Sequence, residues 1–489
     1  MQRLRSLREY LARLQAMGDV REVTAPVDTK LEMGAIIRHS TENREPAPLF
    51  TNIRGYPKGF RVLGAPGALS SRPAAPWARM ALSLGLDPDT PVDELIERVA
   101  AARDKPPVDP VVVDSGPCQQ NVLTGDAVDL NIFPTPLIHD GDGGRYFQTW
   151  GSWVLRTPDG DWTNWSINRA MIHDARHLTG LISAGQHNGV IRDLWTRRGE
   201  PMPFALVQGA EPAVPLIAGM CLPERIDEGA FVGGWFGEPV EVVRCKTVDL
   251  YVPAEAEIIV EGHVLLDATL PEGPMGEYNG YLYGHAQPQP VYEVTAITYR
   301  DDPILPVVAA GKPIEDCHTV FAVVDSAEIL YELRGAGFPV TRAWMVPETT
   351  GDTVVVTVPR DWRQRVDTDS ATFCRSIADA LIGTHVGNGL ANTIVCDDDI
   401  DPTDPRDLLW ALGSRCHPKN GHLLIESKPI VPLQVYYTAE ELETLTGPSA
   451  IYDCLLSTDA DRPRSTAFRD NYSDAVRQRA LAIWNAAAN

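Results

Sequence analysis

Trp150-Gly151-Ser152-Trp153-Val154-Leu155 runs into Thr157-Pro158-Asp159-Gly160-Asp161, and Trp162-Thr163-Asn164-Trp165-Ser166-Ile167 returns from it. Aromatic and β-branched residues on both sides of a Pro-Asp-Gly turn read as a β-hairpin. Outward from this hairpin, Val240-Glu241-Val242-Val243, Glu257-Ile258-Ile259-Val260-Glu261-Gly262 and Tyr292-Glu293-Val294-Thr295-Ala296-Ile297 read as further short strands. So many short strands in one block, 111–306, predict a barrel or a sandwich. Within the block, Asp227 to Phe231 reads as the end of a helix.

The flanking segments have a different pattern. In residues 1–110, Leu4, Leu7, Leu11 and Leu14 repeat at helical spacing up to Gly18, with a polar face of both signs that suits docking on a core. A strand-like Arg21-Glu22-Val23, a helical Met33 to Ile37, a strand Leu49 to Ile53 and a helix Val92 to Glu97 follow, and Lys105-Pro106-Pro107-Val108-Asp109-Pro110 reads as a linker. Residues 307–489 return to α/β: a strand Asp352 to Thr357, a helix Ser370 to Leu381, a strand Thr393 to Cys396 ending in Asp397-Asp398-Asp399, and a helix Asp404 to Leu412. Thr438-Ala439-Glu440-Glu441 is a capping box. A last amphipathic helix, Ser473 to Ala487, carries Val476, Leu481, Ile483 and Trp484, to dock on its own chain or on a second subunit. The expected fold class is mixed α/β in three domains, 1–110, 111–306 and 307–489.

At 489 residues the chain exceeds one core. Its apolar and charged fractions, 44% and 22%, are those of a soluble globular protein. A formal charge of −23 argues against nucleic-acid and anionic-membrane partners, which require a basic patch. The eight cysteines make no C-x-x-C pair and read as reduced thiols of a cytoplasmic protein. The N-terminus lacks the apolar core of a secretory signal, and no run approaches the roughly 18 apolar residues of a membrane span.

Three stretches carry chemistry. In Leu270-Pro271-Glu272-Gly273-Pro274-Met275-Gly276-Glu277-Tyr278-Asn279-Gly280-Tyr281, a Gly-Pro bend separates two carboxylates. They are either a solvated surface pair or two acids held in one space, where the pKa of one rises toward a value useful for proton donation. In Asn164-Trp165-Ser166-Ile167-Asn168-Arg169, alternation puts Asn164, Ser166 and Asn168 on one face, toward solvent or toward a polar cavity. Gln186-His187-Asn188-Gly189 reads as a Gly-bounded loop. With Asn164 and Glu228, His187 makes a donor set that suits Mn²⁺ or Mg²⁺ better than zinc once phosphate oxygens join it. The Asp397-Asp398-Asp399 run reads as a solvated strand end.

These residues, with Asn164-Trp165-Ser166-Ile167-x-Arg169, Gly185-Gln186-His187, Pro271-Glu272-Gly273-Pro274-x-Gly276-Glu277 and Asp397-Asp398-Asp399-Ile400-Asp401 in order along the chain, resemble the UbiD-like (de)carboxylases. The resemblance implies a central split β-barrel that binds prenylated FMN, an N-terminal α/β domain and a C-terminal α/β oligomerisation domain. It implies Asn164, His187 and Glu228 as Mn²⁺ ligands, Glu228 standing 44 residues before Glu272 as the family's ligand does. It implies a K⁺ ion near the backbone of Trp165, Ala218 and Met220, with Glu228 shared. Gln186 and the residues Asn164, Trp165, Ser166, Ile167, Asn168 and Arg169 then line the cofactor. Arg169, Glu272 and Glu277 match the family's Glu-Arg-Glu catalytic network, with Glu277 as proton donor and Glu272 tuning Arg169.

The implied activity is reversible, non-oxidative decarboxylation of an aromatic, heteroaromatic (phenazine, indole or pyrrole) or α,β-unsaturated acid through a covalent adduct with the cofactor. A flavin prenyltransferase supplies that cofactor, and the enzyme is a homo-oligomer, dimer or higher. A non-catalytic flavin-binding or assembly subunit is the alternative; the intact Arg169, Glu272 and Glu277 set speaks against it. The family often has a lysine where Ala391-Asn392-Thr393 stands here, and a small residue where Asn168 stands. Tyr146, Gln148, Thr149 and Thr319 to Val323 are candidates for the substrate pocket.

Overall fold

A computed structural model describes residues 1–183, 185–282, 284–431, 433–456 and 465–487. Its centre is a nine-stranded sheet, all of whose pairings are antiparallel. The predicted hairpin is there: Gly151–Arg156 pairs with Thr163–Ser166, Trp153 opposite Ser166 and Arg156 opposite Thr163. Thr163–Ser166 lies at one edge of the sheet and Tyr146–Gln148 at the other, so the barrel is split rather than closed. Trp153 packs on Tyr292 and Phe204, with ring centres 4.6 and 5.4 Å away, and fills the inner face.

Two strands are much longer than their sequence suggests. Ile258–Glu272 and Gln287–Tyr299 span 15 and 13 residues and pair along most of their length. Prolines at 271, 288 and 290 interrupt the strand pattern in the sequence. In the structure they fall beyond a register shift between Val264 and Thr269, where Pro271 faces Pro288. Glu272 is thus a strand end and not part of a short hairpin. Val240 to Val243 leaves the barrel altogether: Glu241–Arg244 joins Tyr251–Pro253 and Val111–Val112 in a separate three-stranded sheet.

Asp227 starts a helix where the sequence suggested an end. Its side chain accepts from Ala230 N at 3.0 Å, and Glu228–Phe236 follows. Likewise Gln186 to Gly189 is not a loop: Gln186 is the N-cap of helix His187–Arg198. Both errors share a cause, since a cap is defined by backbone N–H groups that a short apolar or glycine-rich window does not reveal.

Helix Leu7–Ala16 buries Leu7, Tyr10, Leu11 and Leu14 as its spacing predicts. The first sheet takes Val20–Val23, Ala47–Phe50 and Arg61–Gly64, and is completed by Ile304–Val307, which returns from the end of the barrel. The C-terminal sheet orders Arg342–Met345, Thr353–Val358, Asn392–Asp397, Thr446–Cys454 and His422–Pro429. Of the aspartate run at its centre, Asp398 is exposed as read, but Asp397 and Asp399 are buried. Asp397 is buried and accepts from Leu456 N at 2.7 Å, while Arg415 forks onto both oxygens of Asp399 at 2.9 and 2.8 Å. The Arg comes from helix Pro405–Arg415, too far along the chain to be read as a partner. The last helix, Asp474–Ala486, buries none of its residues, and Trp484 is 75% exposed. Among the described residues no helix is long and apolar enough to cross a membrane.

Candidate active site

The chain leaves edge strand Thr163–Ser166 as Ile167-Asn168-Arg169 and enters Ala170–Ile172 at the other side of the sheet. That crossing lines a cavity of about 370 Å³. At one end the starts of two helices meet the edge strand. Asn164 Nδ2 donates to Glu228 Oε1 at 2.8 Å, and Trp165 N donates to Glu228 Oε2 at 2.7 Å. His187 Nδ1 lies 3.3 Å from Asn164 Nδ2 and 4.0 Å from Glu228 Oε1.

Burial there works against charge on both titratable groups. Burial pushes the Glu228 carboxyl up to about 8 against the hydrogen bonds that hold it, and burial with the neighbouring His385 pulls His187 down to about 4. The imidazole is therefore neutral at pH 7, as a metal ligand must be. Asn164 Oδ1 is buried with no partner among the described residues. With its amide turned over, Asn164 would present this oxygen where Nδ2 now faces Glu228 and His187, and an imidazole, a carboxylate and an amide oxygen so placed suit Mn²⁺ or Mg²⁺. No group of three His, Cys, Asp or Glu side chains able to hold a metal exists among the described residues.

The second cluster is the acid–guanidinium set. Arg169 Nε and Nη2 fork onto Glu272 Oε1 and Oε2 at 2.9 and 3.0 Å, and Arg169 Nη1 donates to Glu277 Oε1. Gly273, at φ +86°, turns the chain where a side chain would be strained, and brings Glu277 back toward the guanidinium. Burial raises the Glu277 carboxyl above its usual value, opposed by Arg169 and helped by the charges of Glu272 and Asp142. The neighbouring carboxylates raise Arg169 and outweigh its burial.

Of the predicted residues, Asn164, Ser166, Ile167, Asn168 and Arg169 line the cavity, as do Gln186, His187 and Glu228. Ala218, the last residue of helix Ala213–Ala218, and Met220 also line it. The Trp165 side chain is buried in the core. Among the substrate candidates, Gln148, Thr149, Val320 and Phe321 are on the wall. Tyr146 is not; its hydroxyl donates to Glu272 Oε1 at 2.8 Å. Thr319 donates to Gly67 O at 2.7 Å, and Ala322 and Val323, in the π-helical turn Phe321–Asp325, are core residues.

His385 carries no signal in its own segment, yet its ring centre lies 4.8 Å from that of His187. Its Nδ1 donates to Leu222 O at 3.2 Å and its Nε2 is buried without a partner among the described residues. Strand Asn392–Asp397 has no lysine at its start, and Lys428 Nζ is taken by the carbonyls of Asn388 and Pro429, both at 2.9 Å.

The family profiles of 3-octaprenyl-4-hydroxybenzoate carboxy-lyase match in series: the N-terminal domain at residues 11–99, the Rift-related domain at 111–313 and the C-terminal domain at 318–454. Pyrrole-2-carboxylic acid decarboxylase of Pseudomonas aeruginosa is 40% identical over 98% of this chain and 97% of its own. Ferulic acid decarboxylase 1 of Saccharomyces cerevisiae is 36% identical over 93% and 92%. Among solved structures, vanillic acid decarboxylase of Sedimentibacter hydroxybenzoicus in its closed form superposes with a TM-score of 0.85 at 26% identity over the full length of both chains. The UbiD-class enzyme HmfF of Pelotomaculum thermopropionicum, solved with FMN, gives 0.78 at 25% identity over 93% and 95%. An evolved dimeric form of HmfF has been solved with prFMN. Three profiles in order along a mixed α/β chain, and decarboxylase relatives spanning nearly all of it, identify this protein as a member of the UbiD family of carboxy-lyases.

Proposed function

We propose that the chain is a reversible, non-oxidative decarboxylase of an aromatic, heteroaromatic or α,β-unsaturated carboxylic acid, working with prenylated FMN. The observation that carries this reading is Arg169 held between Glu272 and Glu277 on the wall of a largely apolar cavity, beside a hard-cation donor set. The relatives' names favour a pyrrole or cinnamic-type ring; indole and phenazine carboxylates belong to the same class.

Prenylated FMN, when bound, supplies an electrophilic sink for the electron pair left by departing CO₂. Asn164, His187 and Glu228 would hold Mn²⁺ or Mg²⁺ against its phosphate, with K⁺ on carbonyls near Trp165, Ala218 and Met220. Trp165, Ser166, Ile167, Asn168 and Gln186 would border it. Glu272 commits two edges of the Arg169 fork, which leaves Nη1 as the position where an incoming carboxylate can displace Glu277. Ile167, Met275 and Phe321 on the apolar wall exclude water from that carboxylate. Glu277, released from Nη1, delivers the proton that replaces CO₂.

The test is coexpression with a flavin prenyltransferase, then CO₂ release across a panel of such acids. Cofactor-loaded protein that releases CO₂ from none of them overturns the reading. His187→Ala should weaken cofactor retention by about 10–100-fold, read as manganese content and flavin absorbance after gel filtration. Wild-type retention would remove His187 from the ligand set.

All eight cysteines are free, which supports a cytoplasmic setting. The bare helix Asp474–Ala486 supports a homo-oligomer, since Ile483 and Trp484 find no cover among the described residues. Trp484→Glu should lower the mass measured by light scattering toward that of a single chain; an unchanged mass places the interface elsewhere.

A further inference from the structure

We propose that Asp142 and His139 are positioning residues for the acid Glu277: they clamp the loop that carries it and tie that loop to the cavity wall. The inference rests on the reading of Glu277 as the proton carrier.

The Asp142 side chain is fully buried. Its Oδ1 accepts from Gly276 N, next to Glu277, at 2.8 Å. Its Oδ2 accepts from His139 N at 2.9 Å and faces His139 Nδ1 at 3.2 Å. Gly143 N donates to Pro274 O at 2.7 Å, so the loop 139–143 grips the loop 273–277 at two points. The approach leaves no room for side chains: a Cβ on Gly143 would lie 1.9 Å from Gly273 O, and one on Gly276 would lie 2.4 Å from His139 Nδ1. On its far side His139 Nε2 lies 2.8 Å from the carbonyl of Ala310, a residue of the cavity wall.

Both ring nitrogens of His139 thus face acceptors, and a ring with one N–H serves only one of them at a time. The ring bridges Asp142 on one loop and the Ala310 carbonyl on the cavity wall. Beyond Glu277 the backbone closes a tight turn, with Glu277 N donating to Tyr281 O and Gly280 N to Glu277 O, both at 3.0 Å. The main chain of Glu277 is therefore pinned on both sides, and only its side chain is left to swing between Arg169 and the reacting carbon. The Asp142 charge also adds to the effects that raise the Glu277 carboxyl.

Asp142→Asn tests this in the full-length, cofactor-loaded enzyme. Asn keeps the shape but removes the charge, and it sets an amide N–H₂ against the Gly276 or His139 N–H. The expected result is a kcat lower by about 10–100-fold with KM within about 3-fold, as for a misplaced catalytic group. The alkaline limb of the kcat profile should move to lower pH, and amide hydrogens of the segment 273–282 should exchange about 10-fold faster. Gly143→Ala, which pushes the loops apart without changing charge, should reproduce the kcat loss and the faster exchange with the limb in place.

Wild-type kcat and exchange in Asp142→Asn overturn the proposal. So does a lower melting temperature with pH limb and loop exchange unmoved, which marks a merely structural role. Glu277→Gln, measured in parallel, separates the two readings. Full activity there defeats the acid assignment, whereas an inactive Glu277→Gln beside an unaffected Asp142→Asn defeats only the clamp.

Discussion

Glu277→Gln is expected to lower kcat by about 10²–10⁴-fold, the usual contribution of a positioned general acid, with little change in KM. Glutamine keeps the length of the side chain and an oxygen to accept from Arg169 Nη1, so the cavity keeps its shape. It has no proton of carboxylic acidity to give. The wild-type rate should also carry the signature of this group. Burial, with the charges of Glu272 and Asp142, outweighs Arg169 and holds the Glu277 carboxyl above its usual value. A donor must be protonated, so kcat is flat below that raised pKa and falls as pH climbs through it. Above it, the carboxylate also binds Arg169 Nη1 more firmly and competes with the substrate. The variant should lose this alkaline limb. A variant with wild-type kcat, or one that keeps the limb, excludes Glu277 as the donor.

The parts of this site legible in the sequence are those whose residue types are unusual for their local setting. Two glutamates around Gly273-Pro274, and an Arg that ends a strand of polar and aromatic residues, stand out because no local structure needs them. That Arg169 reaches Glu272, 103 positions away, is a product of strand order and not of any window in the sequence. The roles of the partners that hold the site are hidden for the same reason. Tyr146, Asp142 and His139 are ordinary residues in their own segments and gain their roles only across the sheet. Asp397 and Asp399 look solvated in the sequence because their neutralising Arg415 lies on a helix further along the chain. The fold was legible at the level of periodicity: the hairpin, the leucine helix and the capping box at Thr438 all stand as read. The helix starts at Asp227 and Gln186 and the two long strands were not, since these caps and bulges are settled by backbone contacts that a residue pattern does not encode.

Arg169→Ala should be nearly as damaging, for a different reason. The guanidinium is the counter-charge of two buried carboxyls, with Glu272 and Glu277 only 2% and 12% exposed. Breaking such a set by removing one partner costs about 3–5 kcal/mol, and the carboxyls respond by binding protons. Glu272 would then lose the fork that fixes it, and the incoming substrate would lose the one edge, Nη1, that receives its carboxylate. Both kcat and KM should suffer, with kcat/KM down about 10³-fold at about 1.4 kcal/mol per decade. Arg169→Lys restores the charge but not the fork, because an ammonium is a point donor. It should recover little if geometry matters, and most of the loss if charge alone does. Glu272→Gln separates these further. Combined with Arg169→Ala it should cost no more than Arg169→Ala alone if Glu272 acts only through the guanidinium, since residues that act as a unit are not additive. Additive losses would instead give Glu272 its own contact with the reacting groups, and an Arg169→Ala enzyme of full activity would remove the network from the chemistry altogether.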